Sequence, residues 1–187
     1  MDSKFLFIGN GKSALNLKER INEYDFIVRF NVFKLNSNVG NKTDLHIIND
    51  KNFFIKKILS KNAQNLKKSI VKYEIPITNH ILRKRIDLVK SKLEQQDYNL
   101  PKIFHTSIIK HYSPIQLNKQ ASTGLVVLLY FTHRNFDCTV IGFDNLTDDE
   151  CNLNNDHYFE KNHRAAGSHD WKQEREIVKL LPIKILK

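Results

Sequence analysis

The run Lys4-Phe5-Leu6-Phe7-Ile8-Gly9-Asn10-Gly11 decides the fold. Lys4–Ile8 is a short, mostly apolar and aromatic stretch that reads as a strand; two glycines around an asparagine stop it, and Ser13–Ile21 then carries helix-compatible residues. Strand, glycine loop, helix is how nucleotide-binding α/β domains often begin. Such a turn lets backbone approach a ligand closely, and its amide hydrogens, with the helix N-terminus behind them, favour an anion; a tight turn with no ligand explains the same residues. The third glycine of a dinucleotide fingerprint is missing and no G-x-x-x-x-G-K-[ST] occurs, so NAD and P-loop ATP chemistry lose support.

Working outward, Asp25–Arg29 and Asp44–Ile48 read as further strands, with turn-favouring Asn38, Gly40 and Asn41 between them. Strands are expected again at Ser69–Tyr73, Lys102–His105, Thr139–Gly142 and Ile183–Leu186. Helices are expected near Asn52–Ser60, His80–Gln95, Thr123–His133 and Asp170–Leu181. That alternation predicts an α/β fold, a mostly parallel sheet flanked by helices. No repeat or low-complexity tract interrupts it. The one long irregular stretch, 145–168, holds acids, asparagines and two of the eight histidines, with a third at 169 directly after it, and fits an active-site loop.

A length of 187 residues with 41% hydrophobic content supports one buried core, so residues 1–187 are expected to form a single domain. No apolar run approaches the roughly 18 to 20 residues of a membrane span, and Met1 leads almost directly into a strand, which makes the cytosol the expected location. Cys138 and Cys151 are too few for a disulfide framework and lack metal-ligand spacing. The net charge of +10 sits in the middle: residues 51–119 hold 15 basic against 4 acidic side chains. That variable basic segment is able to attract an anionic membrane, a nucleic acid or an anionic substrate, or to be a solvated lysine-rich surface.

Three further segments carry chemistry. Ser122-Thr123-Gly124 puts a hydroxyl at the start of the apolar run Leu125–Phe131, a placement that suits phosphate or carboxylate binding and equally a capped core helix. His157-Tyr158-Phe159-Glu160 and His169-x-x-x-x-Glu174 place two imidazoles late in the irregular stretch, with a pKa range suited to proton transfer. A serine-nucleophile elbow, G-x-S-x-G, is absent.

Together these segments resemble glycosyltransferase family 29, the eukaryotic-type sialyltransferases, with a looser likeness to the bacterial sialyltransferases of family 42. Phe7–Gly11, Tyr24–Asn31 and Val39–Thr43 look like the large sialyl motif. Ala121–Leu129 with Val140-Ile141-Gly142-Phe143-Asp144 looks like the small one, His157–Glu160 like the third, and His169–Glu174 like the very small motif. The resemblance implies a single Rossmann-like domain of the GT-A variant kind, an inverting transfer from a CMP-sugar donor to a glycan acceptor, and neither metal nor cofactor. It implies donor contacts at Asn10, Gly11, Ser13, Asn31, Ser122, Thr123, Gly124 and Gly142. It assigns His169 as base and His157 to the leaving phosphate, with Tyr158 and Glu174 in support. The family's disulfide between the large and small motifs has no counterpart here, and residues 49–120 match nothing in the motifs.

Competing expectations remain beside that one. A metal-dependent transferase usually presents Asp-x-Asp, which is absent; Asp148-Asp149-Glu150 is the nearest substitute. A CMP-Kdo transferase would need the same cytidine pocket. From another class, Phe53, Phe54, Tyr73 and Phe104 among the lysines resemble a nucleic-acid surface, but no RNA-binding signature occurs and nucleic acid is not expected as a partner. Lys51–Lys61, with Phe54, Ile55, Ile58 and Leu59 on one helical face, fits peripheral contact with an anionic membrane, at whose inner face a lipid-linked acceptor would lie; core packing explains the same stripe.

Overall fold

A computed structural model describes residues 3–47, 112–148, 157–160 and 167–187, together with the backbone of 72–77 and 102–105. Within them run β1 (Lys4–Ile8), β2 (Phe26–Phe30), β3 (Leu45–Ile47), β4 (Lys72–Ile77) and β5 (Lys102–His105). These are followed by α1 (Thr123–His133), β6 (Asp137–Ile141), α2 (Asp144–Thr147), α3 (Trp171–Lys179) and β7 (Ile183–Ile185). The seven strands form one sheet in the order β5-β4-β3-β2-β1-β6-β7, and every neighbouring pair is parallel. The parallel α/β sheet expected from the alternation is found, in the Rossmann-like form that the resemblance implies.

Period-two alternation divides the strand residues between two cores. Phe7, Val28, Phe30, Leu45, Ile47 and Val140 pack with α1 and with Ile177 and Val178 of α3. Leu6, Ile8, Ile27 and Ile141 pack with Ala14, Leu17 and Ile21. Both faces are covered, as a parallel sheet requires. Helix α1 is buried at Leu125–Leu129, Phe131 and Thr132, which is why it is apolar nearly all round. It ends at His133, and two residues on, the left-handed φ of 59° at Asn135 lets the Phe136 N–H return to the Phe131 carbonyl at 3.2 Å.

Three expectations need correction. Ser13–Ile21 is not one helix but two 3-10 turns, Lys12–Asn16 and Lys18–Glu23. They meet at Lys18, whose φ of 46° breaks the helix and whose N–H bonds the Asn38 carbonyl. The fourth strand lies at Lys72–Ile77, where it pairs with Leu45–Ile47, and not at Ser69–Tyr73. The stretch 145–168 is not wholly irregular: α2 occupies its start, and His157 and Glu160 form a bridge. The helices expected at Asn52–Ser60 and His80–Gln95 lie outside the described residues, as do Cys151, Asp149 and Glu150. Cys138 is buried, and desolvation raises its thiol to about 12, which makes it a packing residue.

Candidate functional site

From β1 the chain adds strands in one direction to β5, then crosses back to lay β6 on the other side of β1. The carboxyl ends of β1 and β6 therefore flank a topological switch point, where open parallel sheets bind ligands. Gly9-Asn10-Gly11 leaves one strand there and Gly142-Phe143-Asp144 the other.

The two turns touch. Gly9 N–H donates to Ile141 O at 2.8 Å and Gly11 N–H to Gly142 O at 2.7 Å. A Cβ on Gly9 would lie 2.2 Å from Gly142 O, and Gly142 itself has φ 74°. The amide-cradle reading of the first turn is thus corrected, since the amides of both its glycines serve the neighbouring turn and the helix behind it is a single 3-10 turn. Ser13 is also occupied: its N–H donates to Asp144 Oδ2 at 3.2 Å, its hydroxyl to Asp144 Oδ1, and it accepts from Gly142 N at 2.9 Å. Asp144, which sequence reasoning quoted without assigning a role, fills the space beside Gly11, where a Cβ would come within 2.4 Å of its carboxylate.

One wall is built on two asparagines. Asn10 Nδ2 donates to Val32 O at 3.0 Å and to Phe30 O at 3.4 Å. These two carbonyls fix the orientation of the amide, and Asn10 Oδ1, buried, has no hydrogen-bond partner among the described residues. A buried acceptor without a donor is costly, and a ligand N–H or O–H is one way to satisfy it. Asn31, between the two carbonyls, has φ 48°. Below it lies Arg29, wholly buried. Its Nε donates to Lys42 O and Thr43 Oγ1, both at 3.1 Å, and its Nη2 to Val39 O at 2.6 Å. Desolvation lowers it to about 10, so it stays charged at neutral pH.

The turn His157–Glu160 docks on that wall. Tyr158 N–H donates to Asn10 O at 2.9 Å, its hydroxyl donates to Lys34 O at 2.6 Å and accepts from Lys34 N at 3.0 Å. Desolvation raises the Tyr158 phenol. His157 Nδ1 lies 4.0 Å from Glu160 Oε2.

A second cluster forms at the start of α1. Ser122 caps it by accepting from Leu125 N at 3.2 Å, and both Ser122 donors go to Glu174, which α3 brings in fully buried. Desolvation raises Glu174 to about 7, against the opposing effect of the Ser122 bonds. His169 Nδ1 lies 2.7 Å from Gln120 O and 3.7 Å from Glu174 Oε1. A carbonyl only accepts, so Nδ1 carries the proton and Nε2 is left as the basic nitrogen. Asn118 N bonding Gln173 Oε1 and Lys119 Nζ bonding Gly167 O fasten the same two segments together.

Phe143 links the two clusters. It meets Phe30 edge-on at 5.3 Å and lies where a Cβ on Gly124 would be, 2.7 Å from its Cε1. The structure therefore gathers Asn10, Gly11, Ser13, Asn31, Gly142 and Tyr158 at the switch point and Ser122, Glu174 and His169 beside α1. Thr123 and Gly124 begin the helix between them. Asp144, Phe143, Arg29 and His46 were missed, because nothing in a single sequence marks a residue whose role is set by the partners that the fold brings to it.

Comparison with known proteins bears on the family and the fold. The model of glycosyltransferase family 29 (sialyltransferase) matches residues 7–184. Among solved structures, a mammalian sialyltransferase superposes with TM-score 0.65 at 18% identity, covering 100% of this chain and 69% of that one. The α-2,3-sialyltransferase from Campylobacter jejuni in apo form gives 0.64 at 15%, over 99% and 75%. The sialyltransferase CST-II in complex with CMP gives 0.61 at 12%, over 98% and 81%. No curated protein matches the sequence.

Proposed function

The chain belongs to glycosyltransferase family 29, the sialyltransferases, and from that premise we propose that it moves sialic acid from CMP-sialic acid to a hydroxyl of an acceptor glycan, with inversion and without a metal ion. One observation carries the reading: Asn10 Oδ1, without a partner among the described residues, stands at the switch point, where a nucleotide is expected in this fold class and where a cytidine amino group or ribose hydroxyl would satisfy it. A structural relative, CST-II, was solved with CMP.

The chemistry then follows from the residues at hand. The acceptor oxygen attacks the anomeric carbon from one side while the bond to the phosphate oxygen breaks on the other, so CMP leaves with the bonding electrons. The hydroxyl proton passes to His169, whose Nδ1 is already engaged with Gln120 O; the resulting imidazolium has the Glu174 carboxylate 3.7 Å away. His157 donates to the departing phosphate, an interaction that strengthens as charge builds in the transition state. Tyr158 holds His157 to the wall formed by Asn10. The basic segment 51–119 draws the enzyme towards an anionic surface bearing the acceptor.

The test is thermal stabilisation by a ligand panel, since a ligand selective for the native state raises its apparent stability. CMP and CMP-sialic acid are expected to stabilise the protein, and UDP-sugars to leave it unchanged. Equal response to CMP-Kdo, with Kdo transfer, would redirect the donor assignment; no response to any cytidine nucleotide would overturn the reading.

A further inference from the structure

His46, on β3, is assigned no role by its place in any motif. It is wholly buried, and its Nε2 lies 2.6 Å from the Asn31 carbonyl. Because that oxygen only accepts, Nε2 carries the ring proton. Burial chiefly, and then the charge of Arg29, lower the imidazole to about 4, so it is neutral at physiological pH. Phe33 meets the ring edge-on at 5.0 Å and is itself covered by the Arg29 guanidinium at 5.4 Å, which fixes the imidazole in place.

Asn31 is the hub of these contacts. Its N–H donates to Ile47 O at 2.7 Å, its carbonyl accepts from His46, and the carbonyls on either side, Phe30 O and Val32 O, accept from Asn10 Nδ2. A φ of 48° is a conformation that glycine adopts without cost. If the turn alone mattered, glycine would serve, and leucine or valine would fill the place of His46 without the desolvation of a ring. Two polar side chains instead hold three consecutive carbonyls around an asparagine.

We propose that His46 is a positioning residue of the donor site: through the Asn31 carbonyl it sets the left-handed backbone from which the Asn31 side chain serves the CMP moiety. This rests on the donor reading given above. The chain route is short, one hydrogen bond from imidazole to the peptide that carries Asn31.

The test compares His46→Gln, whose amide nitrogen reaches the Nε2 position, with His46→Asn, whose amide stops near Nδ1, by calorimetric titration with CMP. Gln is expected to keep the dissociation constant within about threefold, and Asn to raise it about tenfold or more. In an Asn31→Ala background, His46→Asn should add less than about twofold, because the two act through one contact. Equal losses in Gln and Asn, no loss in either, or full additivity with Asn31→Ala overturns the proposal. CMP failing to bind the unsubstituted protein sinks the donor reading, and this role with it; binding by the unsubstituted protein with undiminished binding by His46→Asn removes the role of His46 alone. Should His46→Asn not fold, the unsubstituted protein still decides. Its 15N imidazole shifts should place the proton on Nε2 and move on CMP addition, whereas a proton on Nδ1, or shifts that ignore CMP, would overturn the assignment.

Discussion

Ser122 and Glu174 are joined twice, by the Ser122 N–H to Oε1 at 2.8 Å and the Ser122 hydroxyl to Oε2 at 2.5 Å. This pair couples the first turn of α1 to α3, 52 positions later, and sets the platform on which His169 sits.

Glu174 should make stability depend on pH. Its folded pKa of about 7 lies above the ordinary 4.5. Between these values the native state holds a proton the unfolded chain has released, so the contribution is full below about pH 4.5 and is lost as pH rises through about 7. Urea midpoints should fall between about pH 5 and pH 8, and the fall should shrink in Glu174→Gln. An unchanged slope in that variant would assign the titration to another group.

His169→Ala is expected to lower kcat roughly 100-fold with saturating donor and acceptor, as removal of a general base does, while CMP affinity stays within about twofold. Circular dichroism on the same sample separates this from unfolding. Near-normal kcat would remove His169 as the base.

Tyr158→Phe deletes one oxygen and both of its bonds to the Lys34 backbone. Because the effect is routed through His157, kcat should drop about tenfold or more, while Tyr158→Phe made in a His157→Ala background should cost little further. Additive losses would show Tyr158 acting independently of its neighbour.

Turnover should persist in excess EDTA, the outcome expected of the metal-free transfer proposed above for a sequence that holds no Asp-x-Asp pair. Loss on chelation, restored by Mn²⁺ or Mg²⁺, would point to Asp148 and the two acidic residues after it.

Gly9→Ala should destabilise the fold by roughly 1–3 kcal/mol, the usual cost of overpacking, because its Cβ would lie 2.2 Å from Gly142 O. Chemical unfolding measures it. A stability equal to that of the parent would mean that the β1 and β6 turns separate easily.

The parallel sheet was legible because strand, glycine turn and helix signals repeat at short range, and β1, β5 and α1 fall where patterning puts them. What one sequence could not reveal is how backbone donors are distributed. Gly9 and Gly11 look like an anion cradle until β6 is laid beside β1 and takes their amides. Ser13 looks like a donor contact until Asp144, remote in sequence, claims its hydroxyl. The failed helix at Ser13–Ile21 has a local cause, the left-handed Lys18, that nothing in lysine's propensity announces. Buried His46 and Arg29 were invisible because burial of a polar residue is decided by partners from other strands.

The Ser13–Asp144 contact joins residues 131 positions apart. During synthesis the ribosome therefore releases β1 with its glycine turn long before the residues on the other side of the switch point exist, and closing so long a loop precedes any reward from the contacts it makes. An unfinished chain has strands but no place for a nucleotide. CMP-sugar can recognise only the completed molecule, and it is expected to slow unfolding of finished enzyme without hastening the folding of the nascent one.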